Sequence, residues 1–276
     1  MKKYNGRAIY QPSGKAAEYA AWAVNFYNGC SAMCHYCYNR KGITSKVLGG
    51  DIPIIKKSLM NDTLALQIFI REVDSNIDEL RKHGLFFNFV SDPFLRETYV
   101  LNLEAIRYCL ANGIPVKTLT KQTWWLEHFL RQFDEWIDEN LHRHDWKHLI
   151  AFGFTLTGHD EMEPGAATNE DRIRAIGVLS AEGFKTWASI EPIIDIQSSL
   201  TMIEEIRNDI DLIKIGLQSG EKYDKDELTA MIAGIFVLAD MYDFKIYLKD
   251  SLVKALDIPR EKLPQGYCVT NNYNMF

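Results

Sequence analysis

The chain has 276 residues, of which 47% are hydrophobic and 25% charged. That is ample apolar material for one large α/β core or two small ones. Lys plus Arg number 31 and Asp plus Glu 37, for a net charge of −6. This balance argues against strong non-specific DNA binding, which rests on phosphate neutralisation. Lys2 and Lys3 are followed by no apolar core, so no secretory signal is expected. The longest apolar run, 231–239, is far too short to span a bilayer, so no membrane partner is expected. Five cysteines, three of them in one loop, suit a reducing cytoplasm. No Pro/Gly/Ser-rich linker or charge run divides the chain. We read an N-terminal extension (1–20), one main domain (21–255) and a C-terminal tail (256–276).

The extension is polar and irregular, with Pro12 and Gly14 as breakers. Residues 21–26 form the first predicted strand, which runs into the cysteine loop. Residues 42–60 form a long connection carrying Gly49, Gly50 and Pro53, placed to act as a lid or substrate contact. Asn61 or Asp62 caps a helix reaching about residue 82, with Leu66, Phe69, Ile70, Val73, Ile77 and Leu80 on its apolar stripe. A strand follows over 85–90. The pattern then repeats: helices at 101–111, 123–138, 169–181, 199–208 and 225–241 alternate with strands at 115–119, 148–154, 184–190, 212–215 and 244–248. Thr168 is the expected cap of the helix at 169–181. Strand starts recur at the spacing of a βαβ unit, and their continuous apolar runs suit strands buried on both faces. The predicted fold is α/β, a parallel (β/α) barrel of about six or seven strands.

Chemistry in such barrels lies at the C-terminal strand ends. There the sequence places three cysteines after the first strand. It places Ser91, Asp92, Pro93 and Phe94 after the second, with Glu97 near. Thr120, Lys121 and Gln122 follow the third strand. Thr155, Thr157 and His159 follow the fourth, and Glu191 and Pro192 the fifth. Gly216 to Gly220 follow the sixth, and Lys249, Asp250 and Ser251 the last. Weaker candidates are the local set His142, His144 and His148 beside Trp146, read as a solvated turn. Cys109 is read as core, and Cys268, beside Tyr267, as an incidental tail thiol. Lys214 either ends a strand or joins Lys121 and Lys249 in a basic patch.

Cys30, Cys34 and Cys37 are spaced C-x3-C-x2-C. Thiolates select zinc, copper(I) or iron–sulfur clusters. A structural zinc site would recruit His35 as fourth ligand. A 4Fe–4S cluster usually takes four cysteines, so three would leave one iron open to a further ligand.

The loop, including Tyr36 before its last cysteine, resembles the signature of the radical SAM superfamily. Ser91-Asp92-Pro93-Phe94 and Thr120-Lys121-Gln122 resemble segments of its spore photoproduct lyase-like branch. Ser189-Ile190-Glu191-Pro192, residues 215–220 and residues 247–251 resemble a phage-associated radical-SAM-like family. The resemblance spans roughly residues 20 to 255 and implies a partial barrel. It further implies a 4Fe–4S cluster on Cys30, Cys34 and Cys37 and S-adenosylmethionine on the open iron, cleaved reductively to a radical that abstracts hydrogen. Ser91-Asp92-Pro93 stands where many members carry Gly-Gly-Glu, so Asp92 would take the cofactor amine. Thr155 and Thr157 would meet the ribose and Gly216 the adenine, with Ser91 and Glu191 beside them. Implied partners are an electron donor such as flavodoxin or ferredoxin and a nucleotide or nucleic-acid substrate, alternatively a peptide. Arg40, Lys41, Lys46, Lys121 and Lys249 would make the mouth positive for such a substrate. The rival reading is a zinc-stabilised nucleic-acid-binding module without radical chemistry.

Overall fold

The structure is a computed structural model and describes residues 3–43, 45–139, 146–270 and 273–276. His142 and His144 lie outside these. The elements in order are β1 (Ile9–Tyr10), β2 (Ala23–Val24), β3 (Tyr27–Asn28), α1 (Ser45–Leu48), β4 (Ile54–Ile55), α2 (Asp62–Asp74) and α3 (Ile77–His83). Then come β5 (Leu85–Phe87), α4 (Tyr99–Ala111), β6 (Val116–Thr120), α5 (Leu126–Glu139), β7 (Ile150–Thr155) and α6 (Asn169–Ala181). The last are β8 (Lys185–Ile193), α7 (Ile196–Ile206), β9 (Leu212–Leu217), α8 (Lys225–Tyr242), β10 (Lys245–Leu248) and α9 (Asp250–Leu256).

The main sheet runs β1-β2-β5-β6-β7-β8-β9-β10. β1 is antiparallel to β2, and every other pairing is parallel. The predicted parallel barrel is therefore present with seven parallel strands, and the extension adds an eighth that its sequence did not announce. Alternation along each strand sorts the two faces. Phe86, Ala151, Trp187, Leu212 and Tyr247 point to one interior cluster, joined by Ala23 and by Met275 from the tail. Phe87, Val116, Phe152, Ile190, Ile213 and Ile246 point outward into the main core under the helices. Side chains from β2 and β10 share one cluster, so the sheet is curled rather than flat. The tail packs along the far edge, where Cys268 bridges Ile246.

Several boundaries differ from expectation: β8 runs on to Ile193, so Glu191 and Pro192 lie within it, β9 runs on to Leu217 and takes in Gly216, and α7 starts at Ile196 rather than 199. Two further differences have clear local causes. The single helix over 61–82 is two helices. Ser75 Oγ donates to Arg71 O (2.8 Å) and Asn76 Nδ2 to Glu72 O (2.7 Å). Such back-bonding competes with the helical ladder and ends it there. The N-terminal prediction holds: Asn61 Oδ1 accepts from Leu64 N at 2.9 Å. The strand predicted to reach residue 90 stops at Phe87. Asn25 Oδ1 accepts from Phe89 N and Val90 N, pulling 89–90 out of the ladder. Thr168 caps α6 as expected, and Cys109 is fully buried in the core. Among the described residues no helix is long and apolar enough to cross a membrane.

One glycine fixes the barrel interior. A Cβ on Gly153 would lie 2.1 Å from Trp187 Cε2, so β7 cedes its side-chain volume to that indole. Gly153→Val should cost about 3 kcal/mol through overpacking, read from urea unfolding. Gly234→Ala, in the open on α8, should gain about 0.5–1 kcal/mol by helix propensity in the same assay. Equal midpoints for the two variants would contradict this packing.

Candidate active site

The cysteine loop is fixed from two sides. β3 pairs with β4, and this two-stranded sheet brings the chain to Gly29. Gly29 has φ +84°, and a Cβ there would lie 2.4 Å from Ile52 O, so both conformation and space require glycine. Cys30 N then donates to Gly50 O at 2.9 Å. On the other side, His35 N donates to Met162 O (2.9 Å) and Gly165 N to Ala32 O (3.1 Å). Gly165 also has no room for a side chain: a Cβ would stand 2.1 Å from Ser31 O. Cys37 N closes a turn onto Cys34 O at 3.1 Å.

The three cysteines pack around Ala32, Tyr36 and Leu95. All three line one cavity of about 500 Å³ at the C-terminal ends of the parallel strands. Burial pushes the Cys30 thiol up to about 12, with the Asp92 charge adding to it, and burial also raises Cys34. Among the described residues no three His, Cys, Asp or Glu side chains converge as a single ion requires. His35 is exposed and does not line the cavity.

Beneath the loop runs a buried polar chain. Tyr36 Oη donates to Glu163 Oε1. Arg172 Nη2 donates to Glu163 Oε2 at 2.5 Å, and both side chains are fully buried. Arg172 Nη1 donates to Thr155 O at 2.6 Å, at the end of β7. The loop is thus tied to the barrel wall through a buried ion pair. Burial, and then the Glu163 charge, hold the Tyr36 phenol well above its usual range.

The strand ends contribute unequally. Ser91, Asp92, Thr155 and Glu191 line the cavity with the cysteines; Thr157 and Gly216 do not. Asp92 Oδ1 accepts from Phe94 N (2.9 Å) and Thr120 Oγ1 (2.7 Å), and Oδ2 from Lys121 N (2.8 Å). Asp92 therefore staples the ends of β5 and β6 while facing the cavity. Thr157 is wholly buried and its Oγ1 accepts from His159 N. Gly216 makes room for an ion pair: a Cβ would lie 2.8 Å from Lys249 Cδ and 2.9 Å from Glu191 Cδ. Lys249 Nζ reaches Glu191 Oε1 and Oε2 at 2.9 and 2.8 Å. His159 bridges Asp195 (2.5 Å) and Glu161 (2.7 Å) outside the cavity.

Several lining groups escaped the sequence reading. Tyr19, from the extension, donates to Glu191 and lies 3.1 Å from Ser189 Oγ. Asn39 Oδ1, Asn88 Oδ1 and Ser91 Oγ are buried at the cavity without a hydrogen-bond partner. Buried orphans of this kind cost free energy unless a ligand meets them. Lys15, Arg40, Lys41, Lys121 and Lys249 line the cavity against Asp92 and Glu191, so the lining is net positive in an acidic chain. Lys46 is not part of it.

Breaking the buried pair should be severe. Arg172→Met leaves Glu163 charged and unpaired and should cost roughly 3–5 kcal/mol, whereas the double change with Glu163→Leu should recover most of that. Denaturant unfolding of the single and double variants checks it; equal losses would show that the pair is not coupled.

No protein-family model matches the sequence, and no curated protein matches it. Solved structures do. Spore photoproduct lyase complexed with dinucleoside spore photoproduct superposes with a TM-score of 0.60 at 13% identity, covering 87% of this chain and 79% of that one. SuiB of Streptococcus suis bound to S-adenosylmethionine gives 0.53 at 12% identity, over 84% of this chain and 51% of SuiB. SuiB bound to precursor peptide SuiA gives 0.55 at 12% identity, over 85% and 50%. The chain spans about half the length of SuiB. At these identities the likeness is one of fold: the chain shares the partial (β/α) barrel of these structures.

Proposed function

We propose that the protein is a radical SAM enzyme. The observation that carries this reading is the placing of Cys30, Cys34 and Cys37 on one cavity at the C-terminal strand ends. Three thiols lining one cavity suit a 4Fe–4S cluster that keeps one iron open to a further ligand. The zinc-module alternative loses its fourth ligand, because His35 is exposed outside the cavity. The buried, unpartnered Asn39, Asn88 and Ser91 oxygens fit a polar ligand beside the thiols.

In this reading the three cysteines hold a 4Fe–4S cluster. Ser91, Asp92, Thr155 and Glu191, which line the same cavity, would hold S-adenosylmethionine. When bound, the reduced cluster and this cofactor supply one-electron cleavage and a radical that takes a hydrogen atom from substrate. The chain's own contribution is positioning. Tyr36, Glu163 and Arg172 hold the cysteine loop to β7. Asp92 keeps the β5 and β6 ends in register. Tyr19 and the Glu191–Lys249 pair form a polar floor. An electron donor of the flavodoxin or ferredoxin class and a reducing cytoplasm are part of the proposal.

For substrate we favour a nucleotide-bearing molecule. The lining is net positive and carries Tyr38 and Phe89, rings on which a base can stack. The dinucleoside in the spore photoproduct lyase structure accords with this; the peptide of SuiB supports the alternative.

Replacing any one of Cys30, Cys34 or Cys37 by Ala should abolish iron loading, since three ligands leave no spare thiolate. Cys109→Ala and Cys268→Ala should load normally. Reduced, reconstituted protein should release 5′-deoxyadenosine from S-adenosylmethionine even without substrate. Normal iron content in Cys34→Ala would sink the assignment.

Oligonucleotide binding should weaken steeply with salt, and Lys41→Gln with Lys121→Gln should flatten that dependence by about one counterion each. Absence of oligonucleotide and nucleotide binding at low salt would transfer the substrate proposal to peptides.

A further inference from the structure

Two amides at the cavity have their orientation fixed by the groups around them. Asn88 Nδ2 donates to Asn102 Oδ1 at 3.1 Å. Asn102 does not present its nitrogen there, because Nδ2 already serves the carbonyls of Pro93 (3.2 Å) and Thr98 (2.9 Å). Asn39 Nδ2 donates to the Val90 carbonyl at 3.2 Å. A carbonyl oxygen only accepts, so turning either amide over would set oxygen against oxygen. Both Oδ1 atoms are therefore left as acceptors, and neither has a partner among the described residues. Asn39 and Asn88 are 5% and 6% exposed, and both line the cavity. Aromatic rings adjoin them. Tyr38 Oη donates to the Phe89 carbonyl, so residues 38–39 are tied to 89–90 by two hydrogen bonds. Tyr38 is 64% exposed, and the Phe89 ring is backed by Phe86 with 4.4 Å between centroids.

We infer that Asn39 and Asn88 select an amino-bearing nucleobase in the substrate, an inference that rests on the radical SAM reading with a nucleotide-bearing substrate. A buried acceptor left unmet costs free energy that a ligand returns only by donating a hydrogen bond. Three features choose among donors. The lining is net positive, so it repels an ammonium group but not a neutral amine. Tyr38 and Phe89 suit a flat heterocycle that carries the amine in its own plane. Lys41 and Lys121 line the same cavity and would meet the phosphate. The exocyclic amine of adenine, cytosine or guanine supplies two donated hydrogens. Thymine and uracil offer a single ring N–H between two carbonyl acceptors, and those carbonyls would face oxygen. The amides thus read which base enters, while the lysines hold any nucleotide alike.

The test compares two oligodeoxynucleotides of equal length on the reconstituted, unreduced full chain. One carries adenine throughout. The other carries purine, which has hydrogen in place of the 6-amino group. Saturating S-adenosylmethionine keeps the oligomers from reporting the cofactor's own site. The backbones are identical, so the salt-dependent phosphate contribution cancels in the ratio. Fluorescence anisotropy at low salt should show the adenine oligomer binding roughly tenfold more tightly. Asn39→Leu with Asn88→Leu, checked for folding by circular dichroism, should bring that ratio close to one. The wild-type ratio requires no variant, so it decides the matter even where the double change does not fold. Equal binding of the two oligomers by wild-type protein would show that the oxygens hold water, and would overturn the inference while leaving the nucleotide reading in place. An adenine preference that survives the double change would overturn it too, as would a double change that removes S-adenosylmethionine affinity instead. Binding of neither oligomer would remove the nucleotide reading and this inference with it.

Discussion

The arrangement depends on holding a glycine-bounded loop of thiols against the end of a barrel strand. The buried Glu163–Arg172 pair does this. Two charges removed from water are stable only when each is fully engaged. Here Arg172 is shared between Glu163 and the Thr155 carbonyl, and Glu163 between Arg172 and Tyr36. The pair therefore fixes three things at once: the end of β7, the segment carrying Gly165, and the aromatic residue before the last cysteine. Gly165 and Gly29 then let backbone approach the loop from both sides more closely than any side chain would permit.

A second constraint fills the barrel. Lys117, Lys214 and Lys249 are all buried in its interior. Burial brings Lys117 down to about 8, and burial with the neighbouring lysines holds Lys214 well below its usual range. The N-terminal extension answers these charges. The Tyr19 carbonyl accepts from Lys117 at 2.9 Å. The Tyr19 ring lies 4.7 Å from Lys214 Nζ and 4.6 Å from Lys249 Nζ, a cation–π arrangement. Glu18 takes the Tyr247 hydroxyl and the Asp250 amide. The extension thus packs into the barrel as part of its core, and its tyrosine becomes the polar floor of the cavity.

The fold was legible in the sequence because strands buried on both faces read as short apolar runs that alternate with helical stretches at the spacing of a βαβ unit. The errors have local causes. Ser75 and Asn76 divide one apolar stripe into two helices by bonding back to their own ladder. Asn25 diverts 89–90 from β5. The thiols were legible because their chemistry lies within eight residues. Tyr36 and Glu163 are 127 residues apart, and Tyr19 and Glu191 are 172 apart. No local spacing betrays such pairs. Gly216 illustrates a different difficulty. A glycine at a strand end signals close approach, but the sequence does not say of what, and here the neighbour is the Glu191–Lys249 pair.

The central claim is that three thiolates hold a cluster whose remaining iron is open to S-adenosylmethionine. Electron paramagnetic resonance of the anaerobically reconstituted, reduced protein tests it most directly. The account predicts about four irons per chain and a reduced-cluster signal whose g-values shift when S-adenosylmethionine is added. A chain that binds zinc in place of iron, or a cluster signal unchanged by the cofactor, would contradict it.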